Sequence, residues 1–399
     1  MPKAHALPVA LIVAALAASS CATPGTASIP PTAGPTDAVA ATAPSPSPTL
    51  APAFDLLALL DARREAYGAP GALVVLRRAD GQWAATSGAA DLAGTPLDDV
   101  SRFRIASITK PIVAALVLDA LERGLVSLDD VVGELLPGTL RPEPPVTVRQ
   151  LLDHTSGIFD ESNDGDPEVD IERLAEPLRT EATELMRRWE SGERVIASDR
   201  LIVALSETHD RYNLPGLGYH YSNTNYQLAA MVLEAVTGQT LADLLAERIV
   251  APLGLERTTI APPDTTSPEL RGYGIDPTDG SFVDMTDELV AFGNGGNGGI
   301  ISTPDELLTI MQAIVDGRLL PPALVTEMET PHLQSYGLGL AKYQLSCGSF
   351  FGHGGLVNGT ASIAIVSQGG AEGVAAAFNL QSDTDAQLPA FADTILCRK

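Results

Sequence analysis

The chain has 399 residues, with 25 basic and 50 acidic side chains giving a formal charge of -25 at pH 7. Such a surface repels phosphate backbones and anionic lipid headgroups, which excludes nucleic-acid binding and polybasic membrane attachment. Apolar residues make up 45%, enough at this length to fill one large core or two smaller ones.

In chain order, the opening MPKAHALPVALIVAALAASSCA has a short basic start, an apolar run from about Leu7 to Ala18, and then small residues. That run is too short for a comfortable membrane span, so residues 1–21 are expected to be an export signal. Small residues before Cys21 resemble a bacterial lipoprotein cleavage box with Cys21 as the lipid-bearing residue. Ala18 stands where a leucine is usual, and plain signal cleavage is the alternative. Either way the protein is expected outside the cytoplasm, anchored to the outer face of the cytoplasmic membrane or secreted. With Cys21 committed to the anchor, Cys347 and Cys397 remain, and an oxidising compartment lets them pair. A closed loop of about 50 residues stabilises by roughly 4 kcal/mol in the chain-entropy model. Two buried free thiols are the alternative.

Residues 22–53, rich in Pro, Ala, Thr and Ser, bury too little surface to fold and are expected to be a spacer. Residues 54–399 form the folded unit. FDLLALLDARREAYG predicts an amphipathic helix, and GALVVLRR and GQWAATSG predict a hairpin joined at Ala79-Asp80-Gly81. Helices and long loops fill the middle. Four strand-like runs follow: YGLGLAKYQLS, GSFFGHGG, TASIAIVSQ and GVAAAFNL. Strands at both ends predict one sheet assembled from the two termini around a helical insertion.

Three short stretches carry chemistry. In RIASITKPIVAALVLDALERG, Ser107 and Lys110 are three apart and share a helix face. Pro111 is tolerable mainly near a helix start, so Ser107 sits at the N-terminal end, where free amides favour developing negative charge. The apolar run beyond it predicts a central buried helix ended by Gly124. Only four lysines occur, Lys3, Lys110, Lys342 and Lys399, against 21 arginines. A desolvated ammonium can give up its proton and a guanidinium cannot, so Lys110 is suited to accept the Ser107 proton. PGLGYHYSNTNY offers Tyr221 as a proton relay and Asn223 as a partner for a substrate amide, although taken alone it reads first as a polar turn before a helix. FFGHGGLVNGT places His353, Gly354 and Gly355 beside a strand, where glycines allow close backbone approach, and the Leu356 amide can pair with that of Ser107 as an oxyanion hole.

Ser-x-x-Lys, then Tyr-Ser-Asn, then His-x-Gly resembles the penicillin-recognising serine hydrolases: class C β-lactamases, D-alanyl-D-alanine carboxypeptidases and related esterases. SLDDVVGELLPG, VTVRQLLDHTSGI, APLGLERTTI and GGIISTPDELL agree, so the resemblance covers about residues 54 to 399. The tail from Tyr336 to Gly355 and the final cysteine look most like secreted actinobacterial D-alanyl-D-alanine carboxypeptidases. The resemblance implies an α+β fold, an antiparallel sheet flanked by helices plus an all-helical subdomain, with the site between them. It implies Ser107 as acylated nucleophile, Lys110 as its proton acceptor or the group tuning Tyr221, Tyr221 as proton shuttle, and Asn223, His353, Gly355 and Leu356 around the substrate. The substrate class is a small molecule or a cell-wall peptide, the expected assembly a monomer, and membrane contact is through the lipid anchor alone. An esterase, a D-amino-acid amidase or a β-lactamase on the same scaffold is the alternative, and an idle binding protein a further one.

The carboxypeptidases hold a free carboxylate with a Thr or Ser between the His and the Gly, and often with an arginine on the preceding strand. Here those places read Gly354, Ala341 and Lys342. His154 reads as a loop-stabilising residue and His220 as a wall of the cleft. No Gly-x-Ser-x-Gly elbow, His-Glu-x-x-His pair or paired-cysteine ligand pattern occurs, and neither metal nor cofactor is expected.

Overall fold

Helix α1 (Leu56–Tyr67) starts where Asp55 accepts a hydrogen bond from the Ala58 amide at 3.0 Å and ends at Gly68, whose φ of +79° suits a residue without Cβ. The computed structural model describes residues 54–398 except 166, 192, 194–196, 261–267, 287–294, 358 and 382–386. The expected signal, the spacer and Cys21 lie outside the described residues.

Strands β1 (Gly71–Arg78) and β2 (Gly81–Gly88) form the expected hairpin. Helix α2 (Thr109–Glu122) follows, with every side chain from Thr109 to Leu118 buried, and Gly124 closes it at φ +71°. A helical insertion then intervenes, including helices Pro167–Arg173, Leu178–Glu190 and Asp199–Ser206 around a small core of Leu174, Ala182, Leu201, Ile202 and Leu205. Helix α3 (Asn223–Thr237) returns to the main body, and α4 (Pro304–Val315) covers the sheet. The four C-terminal runs become β3 (Ala341–Leu345), β4 (Gly348–Val357), β5 (Thr360–Ser367) and β6 (Gly373–Phe378), before the final helix α5 (Leu388–Leu396).

The six strands make one antiparallel sheet in the order β2-β1-β6-β5-β4-β3. Both faces are covered, which is why β1 up to Leu76 and all of β6 are apolar. Period-two alternation sends Leu73, Val75, Ala375 and Ala377 into the core shared with α2, α3 and α4. Ala72, Val74, Leu76, Val374 and Phe378 go into a second core with α1 and α5. Cys347 and Cys397 are bonded, with Cα atoms 5.2 Å apart, and tie the β3–β4 turn to the end of α5. Among the described residues, no single helix is long and apolar enough to cross a membrane.

Candidate active site

The residues leading to Ser107 are held from two sides. Phe103–Arg104 pairs with Ile300–Ser302, and the Ile105 amide donates to the Ile300 carbonyl at 3.1 Å. The chain then turns sharply: Ala106 sits at φ +51°, a left-handed conformation that costs a residue with Cβ about 1–2 kcal/mol. A single 3₁₀ turn, Ala106–Ile108, leads into α2. Ser107 therefore stands at the mouth of a buried helix, beside amides that lack helical partners. Strand β4 presses on this turn from behind, because Gly355 has no side chain. A Cβ there would lie 2.3 Å from the Ile105 carbonyl oxygen and 2.4 Å from Ser362 Oγ. The glycine lets the strand approach the Ser107 turn, and it brings Leu356, which is 42% exposed, to the mouth of the site.

Lys110 lies one turn below Ser107, fully buried, with three oxygens around Nζ: Ser107 Oγ at 2.9 Å, Asn223 Oδ1 at 2.7 Å and the Asn297 carbonyl at 2.9 Å. Desolvation draws its pKa down to about 7, opposed by the negative charge of Asp160. The count of partners then decides the chemistry. A neutral amine has two N–H bonds and one lone pair. Two fixed acceptors, Asn223 and Asn297, take the N–H bonds, and the lone pair is left to receive the Ser107 hydroxyl proton.

Tyr221 packs against the same pair. Its phenol hydrogen-bonds Ser107, Lys110 Nζ lies 4.9 Å from its ring centre, and the His154 ring covers it at 4.3 Å. Burial raises the phenol pKa well above 10 despite the Ser107 bond. Tyr221 thus keeps its proton while Lys110 readily loses one, which suits the amine to the part of resting base and the phenol to that of proton carrier.

Asn223 opens α3, and its amide is largely committed within the protein. Oδ1 accepts from Lys110 and Nδ2 donates to Asp160 Oδ2 at 3.2 Å, leaving one N–H for a substrate. Asp160, almost wholly buried, also accepts from Ser162 Oγ and Asn163 Nδ2. Desolvation raises its pKa, and it fixes which way the Asn223 amide points. His353 Nδ1 meets the Gly354 carbonyl, and its Nε2 lies 3.1 Å from the Tyr336 hydroxyl. Desolvation first, then Lys110, push its pKa down to about 3, so it is a neutral ring spent on positioning β4. His154, at φ +58°, receives the Ser222 amide on Nδ1 at 3.2 Å and lies 3.1 Å from Asn225 Nδ2. It holds the segment bearing Tyr221. His220 stacks on Tyr212 with ring centres 3.4 Å apart and is half-exposed beside Asp164.

Sequence reasoning placed Ser107, Lys110, Tyr221, Asn223, His353, Gly355 and Leu356 around one site, and the structure brings them together. It missed Asp160, Asn297 and Tyr336. Asn297 acts through its carbonyl, and the only signal was the glycine-dense GNGGNGG around it. Cys347 and Cys397 lie at the sheet's far corner, away from this chemistry.

The β-lactamase family profile matches residues 56–395. A D-aminopeptidase of Cereibacter sphaeroides is 31% identical over 319 residues, covering 75% of this chain and 55% of that protein. The chain spans about half the length of the curated relatives it matches. Among solved structures, a D-stereospecific amidohydrolase from Streptomyces sp. superposes with a TM-score of 0.68 at 32% identity, covering 84% of this chain and 98% of that one. The D-amino acid amidase from Ochrobactrum anthropi SV3 complexed with L-phenylalanine gives 0.69 at 25% identity, covering 85% and 96%. By sequence, by fold and by a serine, a lysine and a tyrosine converging at the head of a buried helix, the chain belongs to the β-lactamase family of penicillin-recognising serine hydrolases.

Proposed function

We propose that the protein hydrolyses an amide or ester bond on the carboxyl side of a D-amino-acid residue, through an acyl-enzyme on Ser107. One observation carries this reading: the buried Lys110 amine has its two N–H bonds taken by Asn223 and Asn297 and its remaining position aimed at Ser107 Oγ. Ser107 Oγ attacks the carbonyl carbon as its proton passes to Lys110. The oxyanion is received by the Ser107 and Leu356 amides. The Tyr221 phenol, hydrogen-bonded to Ser107, delivers a proton to the departing amine or alcohol and is recharged from Lys110. Water then attacks the ester by the same route in reverse. Asn223 offers its remaining N–H to the substrate, and every step uses side-chain and backbone groups of this chain alone.

The D-amino-acid preference rests on similarity to the amidohydrolase and the D-aminopeptidase. D-alanyl-D-alanine carboxypeptidase activity, the first implication of the resemblance, has less support here, because Gly354 and Ala341 supply neither hydroxyl nor cation for a free carboxylate. Losing such a contact costs about 1.5–3 kcal/mol. The test pairs D- and L-alaninamide hydrolysis with intact-mass detection of a penicillin adduct. D-selective turnover and an adduct, both lost in Ser107→Ala, are expected; an adduct surviving that substitution refutes the reading. The proposal extends to an exported, monomeric protein held by lipidated Cys21 on the 22–53 spacer, checked by release from the membrane fraction in Cys21→Ser.

A further inference from the structure

We propose that the helical insertion aims the catalytic lysine: His209, stacked on Phe159, is a positioning residue that holds the Asp160 carboxylate against Asn223 and so keeps the lone pair of Lys110 on Ser107. The inference rests on Ser107 being the nucleophile and deepens that reading by naming what sets its base.

The two ends of the Asn223 amide have different tasks. Its Oδ1 accepts from Lys110 Nζ at 2.7 Å, and its Nδ2 donates to Asp160 Oδ2 at 3.2 Å. Turned end for end, the same amide would offer Lys110 an N–H, and the lone pair of the amine would go to Asn223 in place of Ser107. The Asp160 carboxylate opposes that turn, because an ionised carboxylate accepts hydrogen bonds only. Asp160 therefore has to stay in place, and its own turn does not secure it. Its other partners, Ser162 and Asn163, belong to the helix Glu161–Asp164, which is four residues long and buries none of them.

The anchor is the preceding residue. The Phe159 carbonyl accepts from Ser222 Oγ at 3.3 Å, and the Phe159 ring lies flat on the His209 ring, with centres 3.9 Å and planes 9° apart. Tyr212 stacks on Phe159 as well, at 5.4 Å, and donates its hydroxyl to Asp164 at the end of the short helix. His209 is in turn fixed by the insertion. Its Nε2 lies 2.8 Å from Asp170 Oδ1, its Nδ1 receives Arg173 Nη1 at 3.3 Å, and Arg173 also donates to Asp170 at 3.2 Å. Asp170 is buried, on the helix Pro167–Arg173. Among the described residues, His209 has no hydrogen bond or ring contact with Ser107, Lys110 or Tyr221, so its influence on them passes through Phe159 and Asp160. What the stack asks of residue 209 is a flat ring, and what Asp170 and Arg173 supply is that ring's orientation.

The experiment follows acylation of Ser107 by p-nitrophenyl acetate in rapid mixing, with the full chain. His209→Ala is expected to slow acylation by about tenfold, and His209→Phe, which keeps the flat ring, to stay within about threefold of wild type. Asp160→Ala is expected to slow it by at least about tenfold, and adding His209→Ala to Asp160→Ala to slow it by less than about a further twofold, since the two act in series. Ile202→Ala opens a cavity in the insertion's own core and controls for lost stability: it is expected to lower the melting temperature and leave acylation within about twofold. If His209→Ala does not fold, Phe159→Leu, which keeps apolar volume and loses the flat face, takes its place in the same cycle. An unslowed His209→Ala, a His209→Phe or Ile202→Ala as slow as His209→Ala, or effects at 209 and 160 that multiply independently each overturn the proposal, while acylation of Ser107 in the wild type keeps the hydrolase reading intact. Absence of any adduct on Ser107 overturns both.

Discussion

The floor of the site and its rim are built on opposite principles. On the floor, Ser107, Lys110, Asn223, Asp160 and the Asn297 carbonyl partner one another, with one N–H of Asn223 left for a substrate, under Tyr221 and His154. At the rim, Gly354, Ala341 and the exposed Leu356 leave room and few fixed polar groups. The difference shows how one scaffold keeps its bond-breaking machinery while changing what it cleaves: partner-for-partner satisfaction resists substitution, and unfilled space does not.

The harshest test of this contrast is Lys110→Arg, which preserves charge and removes the capacity to accept a proton. Acyl-enzyme formation measured by stopped-flow is expected to fall by at least about a thousandfold. If Lys110→Arg instead acylates within tenfold of wild type, the floor is not the proton-transfer device described. Next in size is a pair of alanines one residue apart. Gly355→Ala forces a Cβ against the Ile105 and Ser362 oxygens and is expected to cost about 1–3 kcal/mol in denaturant melts. Gly354→Ala meets only ordinary contacts and is expected to stay within about 0.5 kcal/mol. Equal costs would erase the distinction between floor and rim.

The subtlest expected effect is on pH dependence. Because Lys110 must be neutral to receive a proton and its pKa is drawn down to about 7, activity rises with pH through about 7. Asp160 favours the charged amine, so Asp160→Asn removes an opposing charge and moves that acid limb to lower pH, by up to about one unit. A limb that stays in place or moves upward would show that Asp160 only orients Asn223.

The sequence carried the parts of this design that are written in side-chain type and local spacing. Ser107 and Lys110 announce themselves by a helical interval in a lysine-poor chain, and the buried strands by uninterrupted apolar runs. Tyr221, Asn223 and His353 needed the family resemblance, since each stretch alone reads first as structural. Asn297 contributes a carbonyl, which every residue possesses. Asp160 is one of 50 acidic residues, and only burial distinguishes it. Gly354 and Gly355 are identical letters whose meanings diverge once β4 is laid against the Ser107 turn. Alternation put Ala341 and Tyr343 on one face of β3, but where that face points depended on a fold joining residues more than 200 apart.

That joining sets the timing of the molecule's birth. Val74 on β1 finds its neighbour at Ala376 on β6, so a central strand made early waits for one made about 300 residues later. A ribosome must translate through β6 before the middle of the sheet can close, and such long-range pairing is intrinsically slow. Nascent chains therefore carry Ser107 through the making of the whole helical insertion without β4, the strand that presses on its turn, and the Ser107 site is assembled only after that strand has emerged.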